Sequence, residues 1–132
     1  MMRELARIFK ALSDETRLRI LGLLLDRECC VCEVMQALDI SQTRASRNLN
    51  ILYDAGLLRQ RKDGLWSLYS IDQEGMGEDF TGLVKAVEKA LKGNPAVALD
   101  REKLKNAQKL GPGCVPQTSK MSSKPCDCGD SN

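Results

Sequence analysis

Glu33-Val34-Met35-Gln36-Ala37-Leu38-Asp39-Ile40-Ser41-Gln42-Thr43-Arg44-Ala45-Ser46-Arg47-Asn48-Leu49 is the stretch on which the reading of this chain turns. Val34, Ala37 and Leu38 sit at helical spacing, which predicts a short helix over 33–38. Asp39-Ile40-Ser41 interrupts the pattern as a turn. Ser41 is a suitable N-cap, because its hydroxyl can accept one of the unpaired N–H groups of a first helical turn. The helix it opens is predicted to run to about Ala55, with Ala45, Leu49 and Leu52 as its inner stripe and Gly56 closing it at the C′ position. Two short helices joined by a three-residue turn are a helix-turn-helix.

Downstream, Leu57–Lys62 and Leu65–Ile71 alternate like strands around Asp63-Gly64, a strong hairpin signal. Upstream, Leu5, Ile8, Phe9 and Leu12 predict a helix over 3–12. Ser13 as a cap introduces a second from Asp14 to about Leu25, with Leu18, Leu21, Leu24 and Leu25 inward. Helix, helix, turn, helix and hairpin make the expected fold: mainly α with a small β-hairpin, a winged helix-turn-helix. A fifth helix from Met76 carries Phe80, Leu83, Val84, Val87 and Leu91. This stripe is wide for so small a core, so the expectation is that it pairs with a second copy of the chain beside Leu5 and Ile8 of the first helix. Residues 1–93 would then hold DNA binding, sensing and dimerisation. Residues 94–132 would be an extension with a short helix to about 110, then a Gly-, Pro-, Ser- and Lys-rich tail without periodicity.

The 132 residues carry a net charge of only +2. Residues 41–71 nevertheless hold Arg44, Arg47, Arg59, Arg61 and Lys62 against Asp54 and Asp63, a local net of +3. The basic surplus therefore falls on the second helix of the motif and on the hairpin, where phosphate contacts would position a duplex. Ser41, Gln42, Thr43, Arg44, Ser46, Arg47 and Asn50 are the residue types that read base edges from the front of such a helix. Arg59, Arg61 and Lys62 suit phosphates or the minor groove.

Just ahead of the motif stands Glu28-Cys29-Cys30-Val31-Cys32-Glu33-Val34, with three cysteines in four positions. With no histidine in the chain, thiolate is the ligand type left for a tight site, and thiolate selects soft ions. In a regular helix Cys29 and Cys32 share a face, whereas Cys30 and Cys32 do not. Use of Cys30 with Cys32, or of all three, is expected to need a bent or partly unwound backbone. That would couple metal capture to the entry of the motif. Cys114, Cys126 and Cys128 in the tail are further candidate ligands. No apolar run is long enough to span a bilayer, and Met1-Met2-Arg3-Glu4 lacks a signal peptide's apolar region. The expectation is a cytoplasmic protein with no membrane partner, in which thiols bind metal or sense oxidants rather than forming structural disulfides.

Phe9-Lys10-Ala11-Leu12-Ser13-Asp14-Glu15-Thr16-Arg17-Leu18-Arg19-Ile20-Leu21, Cys30-Val31-Cys32-Glu33-Val34, Ser41-Gln42 with Ser46-Arg47-Asn48-Leu49, Gly56-Leu57-Leu58 and Arg61-Lys62-Asp63-Gly64-Leu65-Trp66 together resemble the ArsR/SmtB family of winged-helix metalloregulatory repressors. Within it they resemble the arsenic-sensing branch, over about residues 3–92. The resemblance implies a homodimer on double-stranded operator DNA, released when As(III) or Sb(III) as inducer binds thiolates at the third helix. It assigns Cys30 and Cys32 as the two core ligands. The branch often has a third cysteine three positions on, where this chain has Met35. That leaves Cys29 or a tail cysteine as the third. Cadmium and lead sensors of the family add a cysteine from an N-terminal arm, and residues 1–28 contain none. The zinc sensors use histidine. Two other readings are a thiol-redox repressor of the same fold and, from another class, a thiol-dependent arsenate reductase. The latter would need an anion cradle beside a nucleophilic cysteine, and no such loop is visible.

Overall fold

The computed structural model describes residues 2–75 and 77–110. Its elements in order are α1 (Met2–Leu12), α2 (Glu15–Asp26), β1 (Cys29–Cys30), α3 (Val31–Leu38), α4 (Gln42–Asp54), β2 (Leu58–Asp63), β3 (Trp66–Ile71), α5 (Gly77–Leu91) and α6 (Pro95–Lys105). This is the winged helix-turn-helix expected, with the strand β1 added; the short helix expected after residue 93 is present as α6.

Local chemistry sets most boundaries. Asp14, rather than Ser13, caps α2; its carboxylate accepts from the Arg17 N–H at 3.1 Å. Ser41 caps α4, its hydroxyl accepting from the Arg44 N–H at 3.1 Å. Asp39 ends α3 in the left-handed region at φ 60°, which a short polar side chain tolerates, and this turns the chain toward α4. Asp63 pairs with Trp66, so the hairpin loop is Gly64-Leu65, one residue later than expected. Gly64 takes the positive φ (66°), as the first position of a II′ turn requires.

The sheet is antiparallel in the order β1-β3-β2, with Cys29 opposite Tyr69 and Cys30 opposite Leu68. The core gathers Ile8, Leu12, Ile20, Leu21, Leu23, Leu49, Leu52 and Leu57. α2 is buried nearly all round because α6 covers its far side. Gly22 permits that approach, since a Cβ there would meet Val97 Cγ1 at 3.2 Å. Arg101 seals it by donating two hydrogen bonds to the Gly22 carbonyl, at 2.8 and 3.1 Å. A bidentate pair between Arg19 and the fully buried Asp100 (2.7 and 2.9 Å) holds the same seam. Helix α6, beyond the Gly93 boundary expected from the sequence, packs on α2. The segment after it packs as far as Leu110.

The stripes assigned to dimerisation divide. Ile8 and Val84 are core residues of the protomer itself, at 1% and 4% exposure, and offer no outer surface. Leu5, Phe80, Leu83, Val87 and Leu91 are half-buried. Phe9, one of the apolar residues whose spacing predicted α1, is 53% exposed, because the buried side of α1 runs through Ile8, Ala11 and Leu12.

Candidate metal centre and nucleic-acid interface

The chain leaves α2 extended and enters β1. Side chains alternate along a strand, so Cys29 and Cys30 part company. Cys29 points into the main core. Cys30 points the other way, into a small cluster with Cys32 and Leu68, bordered by Met35, Trp66 and Leu110. Cys30 is the N-cap of α3 in an extended conformation (φ −94°, ψ 170°), and its thiol folds back over the first turn, where it donates a hydrogen bond to Cys32. This corrects two expectations. Cys30 and Cys32 meet without any unwinding, because Cys30 precedes the helix rather than lying in it. Cys29 is not placed to join them, because it lies on the opposite face of β1. Among the described residues no three metal-binding side chains converge. Cys114, Cys126 and Cys128 lie outside the described residues.

Cys30 is held in its protonated form. The hydrogen bond to Cys32 raises the Cys30 pKa most, and burial adds to it. The Glu33 backbone N–H at the helix start pulls the other way and loses. The helix N-terminus therefore does not produce a thiolate here. Burial pushes the Cys29 thiol up to about 12. Glu33, itself buried, fixes the backbone at the site. It accepts from the Cys30 N–H at 2.9 Å and pairs with Arg27 at 3.2 Å.

A strap crosses the thiols from the C-terminal side. The Gln36 side-chain amide donates to the Gln108 carbonyl at 2.8 Å and accepts from its N–H at 3.1 Å. Trp66 Nε1 donates to the Leu110 carbonyl, and Lys109 Nζ lies 5.6 Å from the centroid of the Trp66 ring. Leu110 itself packs on the Cys30–Cys32 cluster. The helix that leads into this wall was expected, and Asn94-Pro95, an N-cap followed by proline at N1, opens it; its docking beside the thiols was not legible in the sequence.

Ser41 and, on α4, Thr43, Arg44, Arg47 and Asn50 are exposed, and Ser46 is half-buried. Gln42 is not an outward reader. It is 8% exposed, and its buried Oε1 has no hydrogen-bond partner. It borders a polar cleft of about 310 Å³ between α4 and the hairpin, with Ser46, Asn50, Gln60, Ser67, Tyr69 and Val31. The hairpin thus lies beside α4 as a wing, and the residue between the two paired cysteines forms part of the cleft wall. Arg44 also reaches back to Thr16 Oγ1 at 3.0 Å. Asn48, not among the residues expected to touch DNA, is buried. It bridges Arg17 (3.0 Å) and the Arg44 carbonyl (2.9 Å), tying α4 to α2.

In the wing, Arg59, Arg61 and Lys62 are exposed. Arg61 is engaged, forming a two-pronged pair with Glu28 at 2.6 and 3.1 Å. That contact, led by the hydrogen bond, lowers the Glu28 pKa. Glu28 directly precedes the cysteines, so the wing and the thiol segment are joined twice, once by this pair and once by the β1–β3 ladder.

Residues 14–60 match the family model for bacterial regulatory proteins of the arsR family. A homodimeric winged helix-turn-helix DNA-binding domain, Mb0332 from Mycobacterium bovis, described as a possible ArsR-family transcriptional regulator, superposes with a TM-score of 0.58 at 35% identity, over 67% of this chain and 79% of that one. This chain belongs to the ArsR family. The arsenical resistance operon repressor of Bacillus subtilis is 36% identical over 75 residues, 56% of this chain and 71% of its own length. A cadmium resistance transcriptional regulatory protein CadC homolog of Staphylococcus aureus is 42% identical over 72 residues, 54% of this chain and 60% of its own. The match thus spans three-fifths of that regulator's own length. The family is one of regulators, and this member is not an enzyme. Among the described residues no helix is long and apolar enough to cross a membrane.

Proposed function

We propose that the protein is a homodimeric repressor that holds double-stranded operator DNA and releases it when As(III) or Sb(III) binds Cys30 and Cys32. One observation carries the reading: the two thiols are already in hydrogen-bond contact, on a segment paired through Cys30 and Leu68 to the strand that carries the wing. Arsenous acid is neutral and suits a buried pair in which Cys30 keeps its proton. Each thiol gives its proton to a hydroxyl of As(OH)3, water leaves, and an As–S bond replaces an As–O bond. Two thiols leave one hydroxyl on arsenic, which remains trivalent.

Binding replaces the Cys30–Cys32 hydrogen bond with two bonds to a larger atom. Cys30 is at once the cap of α3, a rung of β1–β3 and a neighbour of Val31 in the cleft wall. A shift there changes the spacing between wing and α4, and the exposed basic groups no longer straddle one duplex. Phe9 at 53% and Met2 at 79% exposure on α1, with the half-buried face of α5, provide apolar surface for a second copy. The raised thiol pKa of Cys30 favours this reading over an oxidation switch, because peroxide attacks thiolates.

The test uses a duplex selected by the protein from a random pool. Arsenite should release the wild type and leave the Cys30→Ser/Cys32→Ser variant bound. Release of that variant at the same arsenite concentration would overturn the assignment. Cadmium and peroxide in parallel titrations distinguish the metal-resistance and redox alternatives.

A further inference from the structure

Cys30 and Cys32 are 2% and 6% exposed, so a ligand reaches them only if a wall of their cluster moves. The walls are held unequally. Leu68 lies in β3, the middle strand of the sheet. Met35 lies inside α3, and Trp66 opens β3 opposite Asp63. Leu110 instead ends residues 107–110, a stretch with no regular secondary structure.

Side chains hold that stretch down. The Ala107 N–H still donates to the Leu104 carbonyl at the end of α6, at 3.1 Å. Past it, the Gln36 carboxamide bonds Gln108 in both directions, at 2.8 and 3.1 Å, and the Trp66 indole donates to the Leu110 carbonyl. Gln36 also donates to the Cys32 carbonyl at 2.9 Å, so the latch and one thiol share a turn of α3. Gln108 and Lys109 are exposed. A short irregular segment held by a few solvent-edge hydrogen bonds opens locally at much lower cost than the packed body.

We propose that residues 107–110 are a gate over the Cys30–Cys32 pair, latched by Gln36 and Trp66, through which thiol-binding ligands enter. The gate applies to any thiol-seeking ligand and does not depend on arsenic being the inducer. For arsenous acid it makes capture a two-step event, opening and then exchange at the thiols. Closed, the strap also braces the wing, because Gln36 belongs to α3 and Trp66 to β3. Entry of a ligand and loss of that brace are therefore one motion.

The experiment labels the full chain with N-ethylmaleimide and locates each modified cysteine by peptide mass spectrometry. When closing outpaces labelling, the rate follows the open population. Gln36→Ala keeps a good helix former in α3 and removes both bonds to Gln108. At about fivefold per hydrogen bond, Cys30 and Cys32 should label about 25-fold faster than in wild type. Trp66→Phe keeps a ring, loses one bond and should give about fivefold. Cys29, in the main core on the other face of β1, is the internal control and should not change in either variant. Equal acceleration at all three thiols would make Gln36 a merely structural residue, and no acceleration would leave no gate; either overturns the proposal. Arsenite association, followed by the emission of Trp66, the chain's single tryptophan, should quicken in Gln36→Ala by the same factor, and equal rates would also overturn it. Arsenite that binds neither protein would sink the arsenic reading instead, with the maleimide rates still deciding the gate.

Discussion

Arg19→Ala and Asp100→Ala remove opposite halves of one ion pair, and they are expected to cost unequal amounts. The pair is short and two-pronged, at 2.7 and 2.9 Å, but its halves sit in different surroundings. The Asp100 side chain is 1% exposed in the seam between α2 and α6, whereas that of Arg19 is 36% exposed. Without Arg19, the carboxylate stays in the seam with no counter-charge. Breaking a buried pair this way costs about 3–5 kcal/mol, and the partial solvation of Arg19 argues for the lower end, about 3 kcal/mol. Without Asp100, the guanidinium turns to water, and the loss is limited to its charge-assisted hydrogen bonds, about 1.5 kcal/mol. With a urea m-value of about 1.5 kcal/mol/M, these losses become midpoint shifts of about 2 M and 1 M. Urea unfolding followed by Trp66 emission measures both. Arg19→Ala/Asp100→Leu should recover most of the Arg19→Ala loss, because the stranded carboxylate is gone. Equal costs for the two single variants, or a larger cost for Asp100→Ala, would refute the argument that burial of the carboxylate dominates this seam.

Cys29→Ala should keep the arsenite response, since Cys29 faces away from the pair. It should also flatten the alkaline loss of stability. The folded thiol titrates at about 12, above its ordinary value of 9.0, so above pH 9 the unfolded chain binds fewer protons than the folded one. Stability therefore falls from pH 9 toward 12 by about 1.4 kcal/mol per unit for this thiol. Denaturation midpoints at pH 8, 9 and 10 that shift identically in wild type and variant would contradict this. Glu28→Gln should free Arg61 for phosphate, raising duplex affinity and steepening the slope of log K against log salt by about 0.9 per protomer. An unchanged slope would show that the wing arginine is not held back by Glu28. Gln42→Leu removes an unpaired buried acceptor and should be neutral or stabilising by about 1 kcal/mol, with duplex binding retained. Arg47→Ala, on the exposed face, should weaken binding to all sequences. Anisotropy titrations of the two variants would contradict the assignment of faces if the order were reversed.

The sequence by itself determined the helix-turn-helix and its wing. Ser41, Asp39, Gly56 and the glycine of the hairpin act within a few residues of themselves, and the spacing of Ala45, Leu49 and Leu52 records which side of α4 is buried. The cysteine box and the local basic surplus were legible for the same reason: composition and spacing carry them. What each cysteine faces was decided only by the tertiary structure. Cys29 and Cys30 are neighbours in sequence, and the pairing of Cys30 with Leu68, 38 positions away, sends one into the core and brings the other to Cys32. Helical spacing was the wrong ruler there, because two residues of strand and an N-cap stood where a helix was assumed. The burial of Gln42 and the engagement of Arg61 by Glu28 are likewise long-range outcomes, as is the docking of α6 and its strap over the thiols. These follow from surfaces meeting across the fold, a condition that no local run of residues encodes.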